Sequence, residues 1–144
     1  MFREGKLHGN NQKAEENLIK TGYASDFSKK RPRPSDSGTV ILITRLPPYG
    51  WVDKDEWIQV LSPKPKTLFR WLDSKQTEED WKIYLNDFEQ EMKASEPVAA
   101  INKLRQRVRN GETITLLCYC KPEAHCHRYT VKSLIEESIF YALT

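Results

Sequence analysis

Two short apolar runs constrain this chain more than anything else in it. They are Thr39-Val40-Ile41-Leu42-Ile43-Thr44 and Thr113-Ile114-Thr115-Leu116-Leu117-Cys118-Tyr119, both rich in β-branched residues. The first is apolar on both of its alternating sides, so as a strand it must be covered on both faces, the condition of parallel sheets. It ends at Arg45-Leu46-Pro47-Pro48, where a double proline stops the strand and projects a stiff loop.

The stretch between the two runs reads as helical. Asp53 to Leu61 is predicted as a short helix containing Trp57, broken by Pro63 and Pro65, and Pro65 to Leu72 as another. Thr77-Glu78-Glu79-Asp80 is a helix start, with Thr77 placed to cap free backbone N–H groups. Trp81, Tyr84, Leu85, Phe88 and Met92 then recur at three and four, one face of an amphipathic helix. A further helix begins near Ser95-Glu96-Pro97, shows Val98, Ile101, Leu104 and Val108, and closes at Gly111.

Leu18 to Ala24 supplies an earlier short strand, and from about Glu123 a last helix runs to Leu143, with Val131, Leu134, Ile135 and Ile139 facing the core. Strand, strand, helices, strand, helix argues for a small three-layer α/β fold, with a short, mainly parallel central sheet flanked by helices. The crossover between the second and last strands is expected to be right-handed. With 144 residues there is room for one core and not two. Residues 1–16 are polar and read as a flexible arm, and residues 17–144 as the single domain.

Composition excludes several classes. A net charge of +3, with 30% charged residues, is mild for a dedicated nucleic-acid binder. No run approaches the ~18–20 apolar residues of a membrane span, and Met1 to Lys6 lacks the apolar core of a secretory signal. Three cysteines crowded near Tyr119 do not resemble a disulfide framework. A reducing, cytoplasmic setting is the expectation, with no cofactor and no membrane partner. The oligomeric state is not set by the sequence.

The chemistry concentrates in Leu116 to Arg128, which holds all three cysteines and two of the three histidines. In an open parallel sheet, ligands bind beyond the C-terminal strand ends. Tyr23, Arg45 and Cys118 to Cys120 all fall at such ends, so they share a rim with the start of the last helix. Cys126 falls in that helix's first turn, where unpaired N–H groups and the dipole lower a thiol pKa and attract anions. Cys126 and His127 are therefore the catalytic candidates, as nucleophile and as orienting or deprotonating group. Tyr23, Arg45, Cys118, Tyr119, His125 and Arg128 are the candidate ligand-binding residues for a small anionic or nucleotide-like molecule.

Plainer readings stand beside these. His127 lies one turn before Val131, as a core histidine would, and Cys118 in its apolar strand is ordinary packing. Cys118, Cys120 and Cys126 offer soft ligands for zinc or a redox dithiol, but without a C-x-x-C knuckle no metal is assigned. Trp51, Trp57, Trp71 and Trp81 read as core and helix-packing residues before they read as a base-stacking platform. The basic segments Lys29 to Arg33 and Arg105/Arg107/Arg109 would serve a second kind of protein, a non-catalytic nucleic-acid or protein interaction module. A solvated loop and a covered helix flank are the ordinary alternatives.

On Thr21-Gly22-Tyr23, Ile43-Thr44-Arg45-Leu46-Pro47-Pro48, Leu61-Ser62-Pro63, and above all Leu116-Leu117-Cys118-Tyr119 with Cys126-His127-Arg128, the chain resembles the family of domain of unknown function 488. The resemblance runs from about residue 18 to 140. It implies a cytoplasmic α/β domain with Arg45, Cys118, Cys126, His127 and Arg128 as the positions that carry over, and it supplies no activity. Members often show an acidic residue at the position of Cys120, which implies no family-wide metal or dithiol role there.

Overall fold

The computed structural model describes residues 18–121 and 124–142; the polar arm expected over residues 1–16 lies outside them. Four strands form one parallel sheet: β1 (Ile19–Tyr23), β2 (Thr39–Leu42), β3 (Glu56–Trp57) and β4 (Ile114–Cys118), in the spatial order β1-β4-β2-β3. Both apolar runs are the inner strands. Each is paired on both sides, which explains why every residue of β4 is buried. The helices are α1 (Pro65–Asp73), α2 (Glu78–Glu91), α3 (Ser95–Arg109) and α4 (His127–Ala142).

Strand alternation divides the core in two. Ile41, Ile43, Ile114 and Leu116 face a large cluster with Tyr84 and Phe88 of α2, Ile101, Leu104 and Val108 of α3, and Val131 and Ile135 of α4. Val40, Leu42 and Leu117 face the other way, onto Phe27, Val52 and the half-buried Tyr119. The expected α/β fold with a parallel sheet is present, and its third layer is built from loops: the helices in contact with the sheet share one face. The β1-to-β2 and β2-to-β3 connections move the same way along the sheet and carry Phe27 and Val52 of the loop layer. The return to β4 passes through α1, α2 and α3 on the opposite face. That alternation is what a single hand of crossover demands.

The loop layer is pinned by charge. Arg33 donates from Nε and Nη2 to Asp53 and from Nη1 and Nη2 to Asp55, and Asp55 in turn accepts the backbone N–H of Val40 at 2.8 Å. The Arg33 guanidinium therefore holds both carboxyls below the usual carboxylate range. Gly38 sits just before β2 at φ +63°, with the Thr113 carbonyl against its α-carbon.

Three expectations change. Asp53 to Leu61 is not a helix: Glu56 and Trp57 pair with Ile41 and Leu42 as the sheet's edge strand, followed by a short tight turn at Gln59–Leu61. Ladder hydrogen bonds such as Ile58 N–H to the Leu42 carbonyl (2.9 Å) decide this, against weak local helix preference. The last helix begins at His127, later than Glu123, which places Cys126 just before the helix and not within its first turn. Trp51 and Trp57 are not core residues, being 40% and 37% exposed. The other helices form where their signals put them, and Thr77 and Asp80 make the reciprocal capping box of α2.

Candidate functional site

Past the C-terminal ends of β2 and β4 lies a cleft of about 260 Å³. The β2 side contributes Thr44, Arg45 and Leu46, and the β4 side Cys118, Tyr119 and Cys120. Leu68, Trp71 and Leu72 of α1 and Trp81 and Tyr84 of α2 form the facing wall, and His125, Cys126 and His127 complete the floor.

The floor is a cluster of three free thiols whose Sγ atoms lie within 4.8 Å of one another. The chain bends just past the end of β4, at Tyr119 and Cys120, and this leaves the sulfurs of Cys118 and Cys120 3.8 Å apart. The chain then turns and brings Cys126 back against them. The arrangement favours a negative charge on Cys120 over one on Cys118 or Cys126. Hydrogen bonds from Cys118 and from Cys126 pull the Cys120 pKa down to about 3, against the opposing effect of burial, with the Arg128 guanidinium assisting. As the donor to that sulfur, Cys118 is pushed up to about 11. Cys126 is pushed up strongly by its place beside Cys118 and Cys120 and by burial. Burial and the neighbouring sulfurs thus oppose a charge on Cys126, the candidate nucleophile, and the two donors around Cys120 favour one there.

His127 is almost wholly buried. Its Nε2 meets the Ile43 carbonyl, which only accepts, so Nε2 carries the proton and Nδ1 presents a lone pair. That lone pair lies 3.7 Å from Cys126 Sγ. Burial holds the imidazole pKa below its usual value, so the ring stays neutral. His127 is thus a hydrogen-bonded core residue that also faces the thiol cluster.

The two arginines expected to hold an anion have other partners. Arg128, 1% exposed, donates to the carbonyls of Cys120 (2.7 Å) and Lys121 (3.0 Å) and to the Tyr129 hydroxyl (3.0 Å). Arg45 donates to the carbonyls of Pro63 (2.8 Å) and Ser62 (3.2 Å). Both act first as clamps on loop backbone. Arg45 still lines the cleft, whereas Arg128 does not reach its surface. Tyr23 pairs with Cys118 in the sheet but stands outside the lining.

His125 belongs to an aromatic wall. Its ring stacks on Trp81 at 4.4 Å and 8°, Trp81 stacks on Tyr84 at 4.8 Å and 14°, and Trp71 meets Trp81 edge-on at 5.1 Å. Trp71 and Trp81 are helix-packing residues, as expected, and line the cleft as well. Sequence reasoning weighed a stacking role for Trp71 and Trp81 and set it below packing, and named His125 as a ligand-binding candidate. It weighed Cys120 only as a metal or redox ligand and missed Tyr84 as part of the wall. The three-and-four spacing of Trp81 and Tyr84 signals burial but not which buried residues border a cavity. For Cys120 the usable signal was its closeness in sequence to Cys118 at the end of the last strand.

The basic segments are partly neutralised. Arg107 forms ion pairs with Glu56 and Glu112, Arg33 with Asp53 and Asp55, and Arg31 donates to the Ser25 carbonyl.

Fold and site together define a small parallel α/β domain with a thiol-floored, aromatic-walled cleft at the C-terminal rim of its sheet. The family model DUF488-N3a, described as the active DUF488-N3 subclade, matches residues 25–139, and the chain belongs to this DUF488 family. Neither the curated proteins nor the solved structures offer a match. No helix among the described residues is long and apolar enough to cross a membrane.

Proposed function

We infer that this chain binds a small molecule with a planar ring, nucleotide-like in its base and sugar portion, in the cleft beyond β2 and β4. One observation carries the reading: the His125–Trp81–Tyr84 stack and the thiol cluster open onto the same cavity. A volume of about 260 Å³ falls just below the range of drug-sized ligand sites, roughly 300 to 1,000 Å³, and suits a small ligand. Trp81 carries His125 on one face and Tyr84 on the other, so an incoming ring stacks on the His125 end of the wall, a contact worth about 1–3 kcal/mol. The Cys120 thiolate on the floor supplies a nucleophile or an anchor beside the bound ring. Because Arg45 and Arg128 donate to backbone carbonyls, the ring and not an attached phosphate is the part recognised.

Calorimetric titration with nucleosides, their monophosphates and inorganic phosphate tests this. A nucleoside and its monophosphate should bind with similar affinity and phosphate alone should not compete. Trp81→Ala, which removes the ring that backs His125, should weaken ring binding roughly five- to hundredfold, the loss of about 1–3 kcal/mol. Unchanged binding by that variant, or competition by phosphate alone, contradicts the reading.

A further inference from the structure

Among the described residues, Cys118, Cys120 and Cys126 are the group whose ligating atoms come close enough to share one ion. We propose that these three sulfurs form a site for one thiophilic divalent ion of the zinc class, with its fourth coordination position open to the cleft. This goes beyond ring binding and stands on the thiols alone.

Distance is the first support. A metal–sulfur bond near 2.3 Å in tetrahedral geometry separates two ligand sulfurs by roughly 3.8 Å. Cys118 and Cys120 already stand 3.8 Å apart. With all three sulfurs within 4.8 Å, Cys126 needs a closure of no more than about 1 Å, the scale of a small side-chain rotation. Coordination requires thiolates, so loading releases to solvent the protons of those thiols that still hold them. No electron changes hands.

Charge is the second. Three thiolates and a divalent ion sum to one negative charge in a largely buried place, which is costly unless it is paired. The Arg128 guanidinium is buried there, and its Nη1 donates to the carbonyl of Cys120, one of the three ligands. Charge balance and ligand orientation thus come from one residue, as outer-shell partners of metal sites do. His127 fixes a second edge, with Nε2 on Ile43 and Nδ1 facing Cys126.

Access is the third. All three cysteines line the cleft. Structural zinc sites are closed by four protein ligands, while sites that act on a ligand keep a position open. Three sulfurs on the floor of a cavity match the second pattern. Soft sulfur donors also select against magnesium and calcium.

The test uses the full chain, reduced and prepared without chelator. Zinc is titrated against a chromogenic chelator, and cadmium is followed by its sulfur charge-transfer absorption. Alkylation read by peptide mass reports which thiols the metal shields. The expected result is one ion per chain, all three cysteines protected, no displacement by excess magnesium, and binding weakened more than about tenfold in Cys120→Ser. Cys120 is only half-buried at the strand end, and circular dichroism checks that variant's fold. The wild-type stoichiometry and protection decide the matter even if it unfolds. No retained ion at equimolar zinc, or equal retention by a folded Cys120→Ser, overturns the proposal. Trp81→Ala separates the two readings, since it should keep the ion and lose the ring.

Discussion

Replacing Arg128 by Met removes a buried cation while roughly conserving volume. In the folded chain its guanidinium supports the carbonyls of Cys120 and Lys121 and the Tyr129 hydroxyl. A hydrogen bond from a charged donor is worth about 1.5–3 kcal/mol. Tyr129 and Lys121 are exposed and recover water, so they weigh least, and the half-buried Cys120 carbonyl weighs most. Relief from burying a charge offsets part of the loss. The net destabilisation is about 2–4 kcal/mol out of a total of roughly 5–15. For a chain of this length that lowers Tm by about 6–12 °C. Urea unfolding followed by tryptophan fluorescence measures it. If Arg128→Met unfolds within about 0.5 kcal/mol of wild type, the guanidinium is not a clamp in solution, and the argument that frees the cleft from anion recognition fails.

Two other expectations follow from buried and strained groups. Burial keeps the His127 pKa below its usual value, so below about pH 6.5 the unfolded chain takes up a proton that the folded chain refuses. Stability should fall with pH from there, by up to about 1.4 kcal/mol per unit until the folded-state pKa is reached. Asp53, Asp55 and Glu112, whose pKa values are also lowered, lose their stabilising effect only as pH falls below about 4. Urea midpoints that stay level between about pH 7 and pH 5, or a slope below about pH 6.5 that is no shallower in His127→Gln than in wild type, would count against this, since Cys120 adds a slope of its own over that range. Gly38→Ala should destabilise by at least about 2 kcal/mol, because the residue stands at φ +63° and a Cβ would come within 2.2 Å of the Thr113 carbonyl oxygen. A variant that unfolds like wild type would show that this turn differs in solution.

Much of the fold is legible in local pattern. β2 and β4 announce themselves because an inner parallel strand must be apolar throughout, and α2 because Thr77 and Asp80 cap it reciprocally. β3 is hidden because Glu56 and Trp57 have no apolar run; backbone pairing to β2 makes them a strand. That the inner strands are covered on both faces is readable, but that Phe27 and Val52 cover one of those faces from loops depends on where the connections run. At the site, the sequence places Arg45, the cysteines and the helix start on one rim, and the cleft gathers them. It does not say where a guanidinium points, so Arg128 reads equally as an anion donor or as a clamp. Cys126 draws the eye through its helix start, while two donors converge on Cys120 and favour the charge there.

The central claim is that the three-thiol cluster favours a negative charge on Cys120, at the floor of the cleft. Alkylation of reduced, metal-free protein, resolved by peptide mass across pH, tests it most directly. With Cys120 pulled down to about 3 and Cys118 pushed up to about 11, Cys120 should be alkylated at a rate that is flat from about pH 5 to about pH 8. Cys118 and Cys126 should stay unmodified over that range. A Cys120 midpoint near the ordinary ~8.5, or Cys126 reacting first, would contradict the account.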